Sequence, residues 1–199
     1  MASASELTGC EAQDFRLPTA DNREVALSDC LSHGPAVVWF SRGLGCPMCR
    51  RHRAHLTMGY PTLRDLNAEV LEVTPTPVER AAFYFSNYSL AFPYLCDPSR
   101  ETARAYGLEQ LPITMWDQAK GLMRDPLDVP NLMREVRQGP NPAPEELAGW
   151  SSDDGFFIID QKGTIRLARA GRMAGLPSRA EIEQTLREIR ALAQQSRIP

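Results

Sequence analysis

The sequence predicts an α/β fold built around a parallel sheet. Apolar, β-branched segments at residues 35–41 and 69–73 are each followed by a stretch with helical spacing. Strands that alternate with helices in this way are typical of parallel sheets. Two further strand-like segments around a Gln-Lys-Gly turn, at residues 155–170, add a hairpin. With 199 residues in the chain, we predict a single domain over residues 1–199.

Composition and charge are those of an ordinary globular protein. Hydrophobic residues make up 43%, charged residues make up 24%, and the formal net charge is -3. These values exclude the disordered and fibrous classes. A weakly negative chain has no bulk attraction for phosphate backbones or anionic lipids, so we expect neither nucleic acid nor a membrane as partner.

The beginning of the chain has no basic segment followed by an apolar run, which disfavours a secretion signal. The longest nearly apolar stretch, residues 35–40, is far shorter than the roughly 20 residues of a membrane-spanning helix. We therefore expect a cytoplasmic protein. The cysteine count of 5 is odd, which favours reactive or buried thiols over a disulfide scaffold.

The first elements are a hairpin and a strand–helix unit. Residues 14–27 alternate in polarity around an Asp-Asn pair that favours a turn. Residues 35–41 are almost wholly apolar and predict a strand covered on both faces. A helix follows over residues 46–67, and we expect Pro61 to kink or split it.

A second strand–helix unit and a third follow. Thr76 is the predicted N-cap of the second helix, with the next residue, a proline, at its first position and Glu79 completing a capping box. Residues 93–96 predict a short strand. Residues 99–106 predict a helix that ends at Gly107.

Residues 108–154 interrupt this alternation. The segment is rich in Pro, Met and Trp, and we interpret it as an insertion within the domain. Short helices are predicted at residues 116–123 and 129–136. After the hairpin, a terminal helix is predicted over residues 178–195, opened by a capping box from a serine and the glutamate three residues later.

Cys46 and Cys49 form a CxxC motif that follows a strand and opens a helix. Free N–H groups and partial positive charge at a helix N-terminus favour thiolate over thiol at Cys46. Cys49 lies about one turn further, close enough for a disulfide. Arg42 and Arg50 flank the motif, and nearby cations lower a thiol pKa. We predict Cys46 as nucleophile, Cys49 as resolving thiol, and the two arginines as electrostatic support.

Zinc binding is the rival interpretation, because Cys46, Cys49, His52 and His55 have the spacing C-x2-C-x2-H-x2-H. On an intact helix these positions climb roughly 13 Å and cannot all reach one ion. We therefore expect no metal. The residue after the second cysteine is Arg, which excludes c-type haem, and no cofactor is predicted. We expect both histidines to be ordinary helix residues and Cys96 to be a buried structural thiol.

Four blocks carry a family resemblance, in the order DFRLPTADNREVALSD, PAVVWFSRGLGCPMC, FPYLCDPSRETARAYGL and GFFIIDQKGTIR. Their order resembles the thioredoxin-fold redoxins of the alkyl hydroperoxide reductase and thiol-specific antioxidant superfamily, especially the peroxiredoxin-like branch with CxxC. The resemblance implies a central mixed sheet flanked by helices. It also implies a small thiol or redoxin as reductant, and a disulfide or hydroperoxide as substrate.

Two departures from the family pattern concern the substrate. Peroxiredoxins have Pro and Thr or Ser seven and three residues before the peroxidatic cysteine, whereas Trp39 and Gly43 occupy those positions before Cys46. Thioredoxins have a cis-proline before the strand that faces CxxC, whereas here Asp154 and Gly155 precede that strand. The sequence therefore leaves the choice between disulfide and hydroperoxide open.

Two functional hypotheses follow. The first is an enzyme, a thiol–disulfide oxidoreductase of the peroxiredoxin-like class that works through Cys46 and Cys49. The second is a non-catalytic redoxin module that binds a partner, or a second copy of itself as a homodimer, through residues 108–154. The Met and Trp content of that insertion motivates the second hypothesis, since such side chains recur at interfaces.

Overall fold

The structure is a computed structural model that describes residues 4–108, 129–150, 154–171 and 177–195. The strands are β1 (Arg16–Pro18), β2 (Glu24–Ala26), β3 (Ala36–Phe40), β4 (Glu69–Thr74), β5 (Tyr94–Cys96), β6 (Asp154–Ile159) and β7 (Ile165–Gly171). After a 3-10 helix at Ala4–Leu7, the helices are α1 (Leu27–Leu31), α2 (Pro47–Asp65), α3 (Val78–Phe85), α4 (Glu101–Ala105), α5 (Val129–Gln138), α6 (Pro144–Trp150) and α7 (Arg179–Gln195).

The central sheet has five strands in the order β5-β4-β3-β6-β7. The pairs β3/β4 and β4/β5 are parallel, as the strand–helix alternation predicts. The pairs β3/β6 and β6/β7 are antiparallel, because the terminal hairpin joins the sheet at β3. The sheet is therefore mixed, and the implication drawn from the family resemblance is confirmed.

Both faces of this sheet are covered, which explains the uninterrupted apolar sequence of β3. On one face, Val38 and Phe40 belong to a core cluster with Tyr106, just after α4. On the other face, Val37 and Trp39 belong to a cluster that includes side chains of α2 and α7. Full burial of a large apolar side chain contributes about 1.5–3 kcal/mol, so β3 is a major source of stability.

The N-terminal residues pair with both outer strands of the sheet. The predicted hairpin forms from β1 and β2, and Thr19, just after β1, makes a bridge with Leu95 of β5. The Ala20 N–H donates to the Tyr94 carbonyl at 3.0 Å. At the opposite side, Ile165 of β7 exchanges backbone hydrogen bonds with residues 9–10.

Helix α2 runs unbroken through Pro61, so the proline does not split the helix, which is one of the two outcomes that the sequence predicts. A proline inside a helix costs about 3 kcal/mol or more. Leu56 and Leu63, on either side of Pro61, are both buried in the cluster beneath α2. Packing on both sides of the proline offsets this local cost.

The start of α3 differs from the prediction. Its N-cap is Pro77, which makes no side-chain capping bond, and the helix begins at Val78. The Thr76 hydroxyl instead bonds to Tyr94 at 2.8 Å and to Glu146 at 2.6 Å. Tertiary partners therefore compete successfully with the predicted local cap.

The later elements follow the prediction more closely. Helix α5 coincides with the helix predicted at residues 129–136, and the helix predicted at 116–123 lies outside the described residues. Helix α7 opens with the predicted capping box, in which Ser178 and Glu181 exchange side-chain and backbone hydrogen bonds. Among the described residues, none of the helices is both long and apolar enough to cross a membrane.

Candidate active site

The CxxC motif lies at the junction of β3 and α2. Cys46 is the N-cap of α2 in an extended conformation, and Pro47 follows at the first helical position, where its missing N–H is not needed. The Cys49 N–H donates to the Cys46 Sγ at 3.2 Å. The two cysteines form a disulfide with a Cα–Cα distance of 5.3 Å. The structure thus brings together the pair that the sequence predicts.

Both cysteines are buried, with 3% of Cys46 and 4% of Cys49 exposed. They belong to the same core cluster as Trp39 and Phe156 of the sheet. Met48, between them, is 37% exposed. In the disulfide form, both cysteines are therefore largely shielded from solvent.

Glu146 of α6 binds the loop that leads into the motif. Its carboxylate accepts hydrogen bonds from the Leu44 N–H at 2.9 Å and from the Gly45 N–H at 3.2 Å. It also accepts from the Ala143 N–H at 2.9 Å, which caps its own helix. This carboxylate is completely buried. The sequence gives no sign of this role of Glu146 beyond a Pro-Glu-Glu segment that opens a helix.

Two glycines allow this close approach. Gly43 has a φ of 87°, and a Cβ there would lie 2.7 Å from the Thr76 hydroxyl. A Cβ on Gly45 would lie 2.5 Å from Pro142. Side chains at these positions would push residues 142–146 off the loop, so this packing requires glycine at positions 43 and 45.

The two arginines that flank the motif have different environments. The Arg42 Nε lies 3.1 Å from the Asp154 Oδ1, and both side chains are mostly buried. Arg50 donates to the Leu44 carbonyl at 2.5 Å, so it binds the loop before Cys46 directly. The charge of Arg42 is therefore largely matched by Asp154, whereas Arg50 is placed on the loop that carries Cys46.

A buried ion pair lies beneath α2. Arg53 donates through Nε and a terminal nitrogen to the two Glu72 carboxylate oxygens at 2.6 and 2.8 Å. Ser41, at the end of β3, donates to the same carboxylate at 2.8 Å. The Arg53 guanidinium also lies over the Tyr94 ring, 4.8 Å from its centroid. This network joins α2 to β4 directly behind the motif.

The remaining candidate residues are His52, His55 and Cys96, and their environments are those of structural residues. The His52 ring packs edge-on against Trp39, 4.6 Å between centroids, and burial lowers the pKa of His52 to about 4. His55 is exposed. Cys96 is buried and free, and burial raises the pKa of its thiol to about 12. Within the described ranges, no group of three or more His, Cys, Asp or Glu side chains is arranged to hold a metal ion.

A cavity of about 240 Å³ opens beside Arg50 and Arg53. Its wall includes the aromatic side chains of Tyr84, Tyr88 and Phe92. Because Arg50 both lines this cavity and binds the Leu44 carbonyl, the cavity is connected to the loop that carries Cys46.

Comparisons with known proteins find relatives that are named as peroxiredoxins or thiol–disulfide oxidoreductases. A family model described as "AhpC/TSA family" matches residues 8–168. A protein of Mycobacterium tuberculosis H37Rv named as a peroxiredoxin is 29% identical over 108 residues, which is 54% of this chain and 68% of that protein. The thiol-disulfide oxidoreductase ResA of Halalkalibacterium halodurans is 26% identical over 108 residues, 54% of this chain and 60% of ResA.

Solved structures are similar in fold. The peroxidoxin BcpB of Mycobacterium tuberculosis has a TM-score of 0.63 and 18% identity, covering 92% of this chain and 96% of BcpB. AhpC of Enterococcus faecalis has a TM-score of 0.64 and 16% identity, covering 97% of this chain and 98% of AhpC. The fold is thioredoxin-like, of the peroxiredoxin type.

Proposed function

The chain belongs to the AhpC/TSA family and is a thiol-dependent oxidoreductase, and on that premise we propose that it reduces a disulfide or a hydroperoxide through Cys46 and Cys49. The observation that carries this proposal is the disulfide between these two cysteines at the start of α2. A small thiol or a redoxin is the proposed reductant, and the cytoplasm is the proposed location.

The proposed reaction begins with the Cys46 thiolate. With a disulfide substrate, Cys46 attacks one sulfur, a mixed disulfide forms and the first substrate thiolate leaves. With a hydroperoxide, Cys46 takes the terminal oxygen, a sulfenic acid forms and an alcohol leaves. Cys49 then attacks the Cys46 sulfur and releases the second thiol, or water. Two electrons leave the protein in either case, and two thiols of the reductant restore them.

The surroundings of Cys46 favour a disulfide substrate. The position seven residues before Cys46 holds the buried Trp39, and the position three residues before it holds Gly43. Thr76 brings a hydroxyl close to Gly43, but that hydroxyl donates to Glu146 at 2.6 Å. The Thr76 hydroxyl is therefore not available to donate a hydrogen bond to a hydroperoxide.

The test compares disulfide reduction and hydroperoxide consumption by the reduced protein and by single-cysteine variants. We expect Cys46→Ser to abolish turnover, and Cys49→Ser to trap a mixed disulfide or sulfenic acid on Cys46, visible by mass spectrometry. Cys96→Ser is the matched control and should retain turnover, because the Cys96 thiol has a pKa raised to about 12 by burial. Unchanged turnover in Cys46→Ser would overturn the proposal.

A labelling experiment tests the division of roles between the cysteines. Limiting iodoacetamide on the reduced protein near neutral pH should label Cys46 first, since the helix dipole acts most strongly at the first position. We expect slower labelling of the other four cysteines, Cys49, Cys96, Cys10 and Cys30. Peptide mapping identifies the labelled residue. Faster labelling of Cys49 or Cys96 would contradict the assignment of Cys46 as nucleophile.

The alternative of a non-catalytic binding module is not favoured. The matching family and the curated relatives are named for peroxiredoxins and thiol–disulfide oxidoreductases. The described part of the insertion also contacts the CxxC loop through Glu146, which ties it to the redox pair.

A further inference from the structure

We infer that Glu146 is a positioning residue for the redox reaction: by holding the loop before Cys46, its carboxylate favours the Cys46–Cys49 disulfide over the dithiol. This inference rests on the proposed function, because it needs Cys46 and Cys49 to be the redox pair. It goes further by identifying what sets the redox equilibrium of that pair, and it gives the described part of the insertion a chemical role.

The contacts of Glu146 are those of a built anion site. Both carboxylate oxygens are used, one by the Leu44 N–H and the Thr76 hydroxyl, the other by the N–H groups of Gly45 and Ala143. The Arg80 Nε lies 3.5 Å away. Because the group is completely buried, these partners replace the water that the carboxylate loses.

Two physical effects follow for the neighbouring Cys46. The N–H groups of Leu44 and Gly45 immediately precede this cysteine, and while Glu146 occupies them they cannot stabilise a thiolate there. A fixed negative charge bound to the N–H of Gly45, the residue before Cys46, also disfavours a second anion, and solvent screens it little in a buried site. Both effects oppose the Cys46 thiolate and leave the neutral disulfide unaffected.

Other charges near this loop act in the opposite sense. Arg50 binds the Leu44 carbonyl, and Arg80 partly balances the carboxylate itself. Arg42 is paired with Asp154 and contributes little net charge. Removing Glu146 or Arg80 should therefore move the redox equilibrium in opposite directions, which provides a two-sided test.

The experiment equilibrates the full chain with defined ratios of reduced to oxidised glutathione. One turn of the exchange converts the protein disulfide and two glutathione thiols into the protein dithiol and one glutathione disulfide. We expect Glu146→Gln to raise the ratio of dithiol to disulfide about tenfold, equivalent to about 30 mV, and Arg80→Met to lower it. Glu145→Gln removes the same charge from the neighbouring, half-buried position and should leave the ratio unchanged.

The pH dependence of Cys46 alkylation provides the second measurement. It should show a lower pKa in Glu146→Gln and a higher one in Arg80→Met. Opposite shifts in the two variants support the inference, whereas shifts in the same direction, or none beyond that of Glu145→Gln, overturn it. If Glu146→Gln does not fold, the Arg80→Met shift alone decides. A wild-type chain whose pair equilibrates neither with glutathione nor with a redoxin would instead contradict the proposed function itself.

Discussion

The buried ion pair of Arg53 and Glu72 joins α2 to β4 behind the redox site. Glu72 lies within β4, and its carboxylate is completely buried. It is accommodated there because Arg53 meets it with two hydrogen bonds and Ser41 with a third. A second Arg–Glu pair, Arg64 with Glu69, joins the same helix to the same strand near the surface.

These two pairs make a matched experiment. Arg53→Met leaves the Glu72 charge buried without its partner, and we expect the free energy of unfolding to fall by about 3–5 kcal/mol. Arg64→Met removes a pair with one largely exposed partner and should cost less than about 1 kcal/mol. Urea denaturation of both variants measures the difference, and equal losses would contradict it.

At the residue scale, the sequence predicts chemistry that is local in the chain and misses chemistry that is not. Cys46 and Cys49 are adjacent on one helix turn, so their pairing follows from spacing. Glu146 lies about one hundred positions away, and only the folded chain brings its carboxylate to the Leu44 and Gly45 N–H groups. Arg42 also has a partner that is distant in the chain, Asp154 of β6, and its proximity to the motif does not reveal that pairing.

At the element scale, the N-terminus of α7 is fixed by a local device. Ser178 and Glu181 bond to each other's backbone N–H groups, which satisfies two donors at the start of the helix. We expect Ser178→Ala to reduce the free energy of unfolding by about 1 kcal/mol. Thermal denaturation measures this, and Ser178→Thr should restore most of the loss. A Thr variant as unstable as the Ala variant would argue against capping.

Strands and helices are predicted well from the sequence where their burial follows a regular pattern along the chain. Each predicted strand and each predicted helix that lies within the described residues is present, because hydrophobic periodicity determines what is buried. The boundaries differ where side chains find distant partners. Thr76 turns to Tyr94 and Glu146 instead of capping α3, and α2 continues through Pro61 because the helix is packed on both sides of it.

At the scale of the whole molecule, stability should depend on pH through His52. Burial, and to a lesser extent the charge of His55, lowers the pKa of His52 from 6.5 to about 4. The unfolded chain therefore binds a proton between these pH values that the folded chain does not. The contribution to stability is fully present above about pH 6.5 and is lost as the pH falls toward 4.

The expected slope is at most about 1.4 kcal/mol per pH unit, and less to the extent that solvent reaches the ring. Urea denaturation between pH 5 and 6.5 measures it, at pH values where most carboxylates stay ionised. His52→Gln should flatten the slope, whereas His55→Gln, at an exposed position, should largely preserve it. Identical slopes in wild type and His52→Gln would rule out this linkage.

The prediction of a single domain also belongs to this scale. Within the insertion, Gly139 lies against the Arg50 side chain of α2, and Glu146 binds the CxxC loop. We therefore expect the described part of the insertion to unfold together with the sheet. Far-ultraviolet circular dichroism and tryptophan fluorescence should then give coincident urea transitions. Two separate transitions would contradict a single cooperative unit.

The pairing of the N-terminal residues with both outer strands has a consequence for aggregation. An outer strand presents a row of unpaired backbone groups, and such a row can recruit strands from other molecules. Here residues 9–10 bond to β7, and residues 19–20 bond to β5. One continuous segment therefore occupies backbone groups along both margins of the sheet. By occupying these groups, the segment hinders edge-to-edge aggregation of the protein.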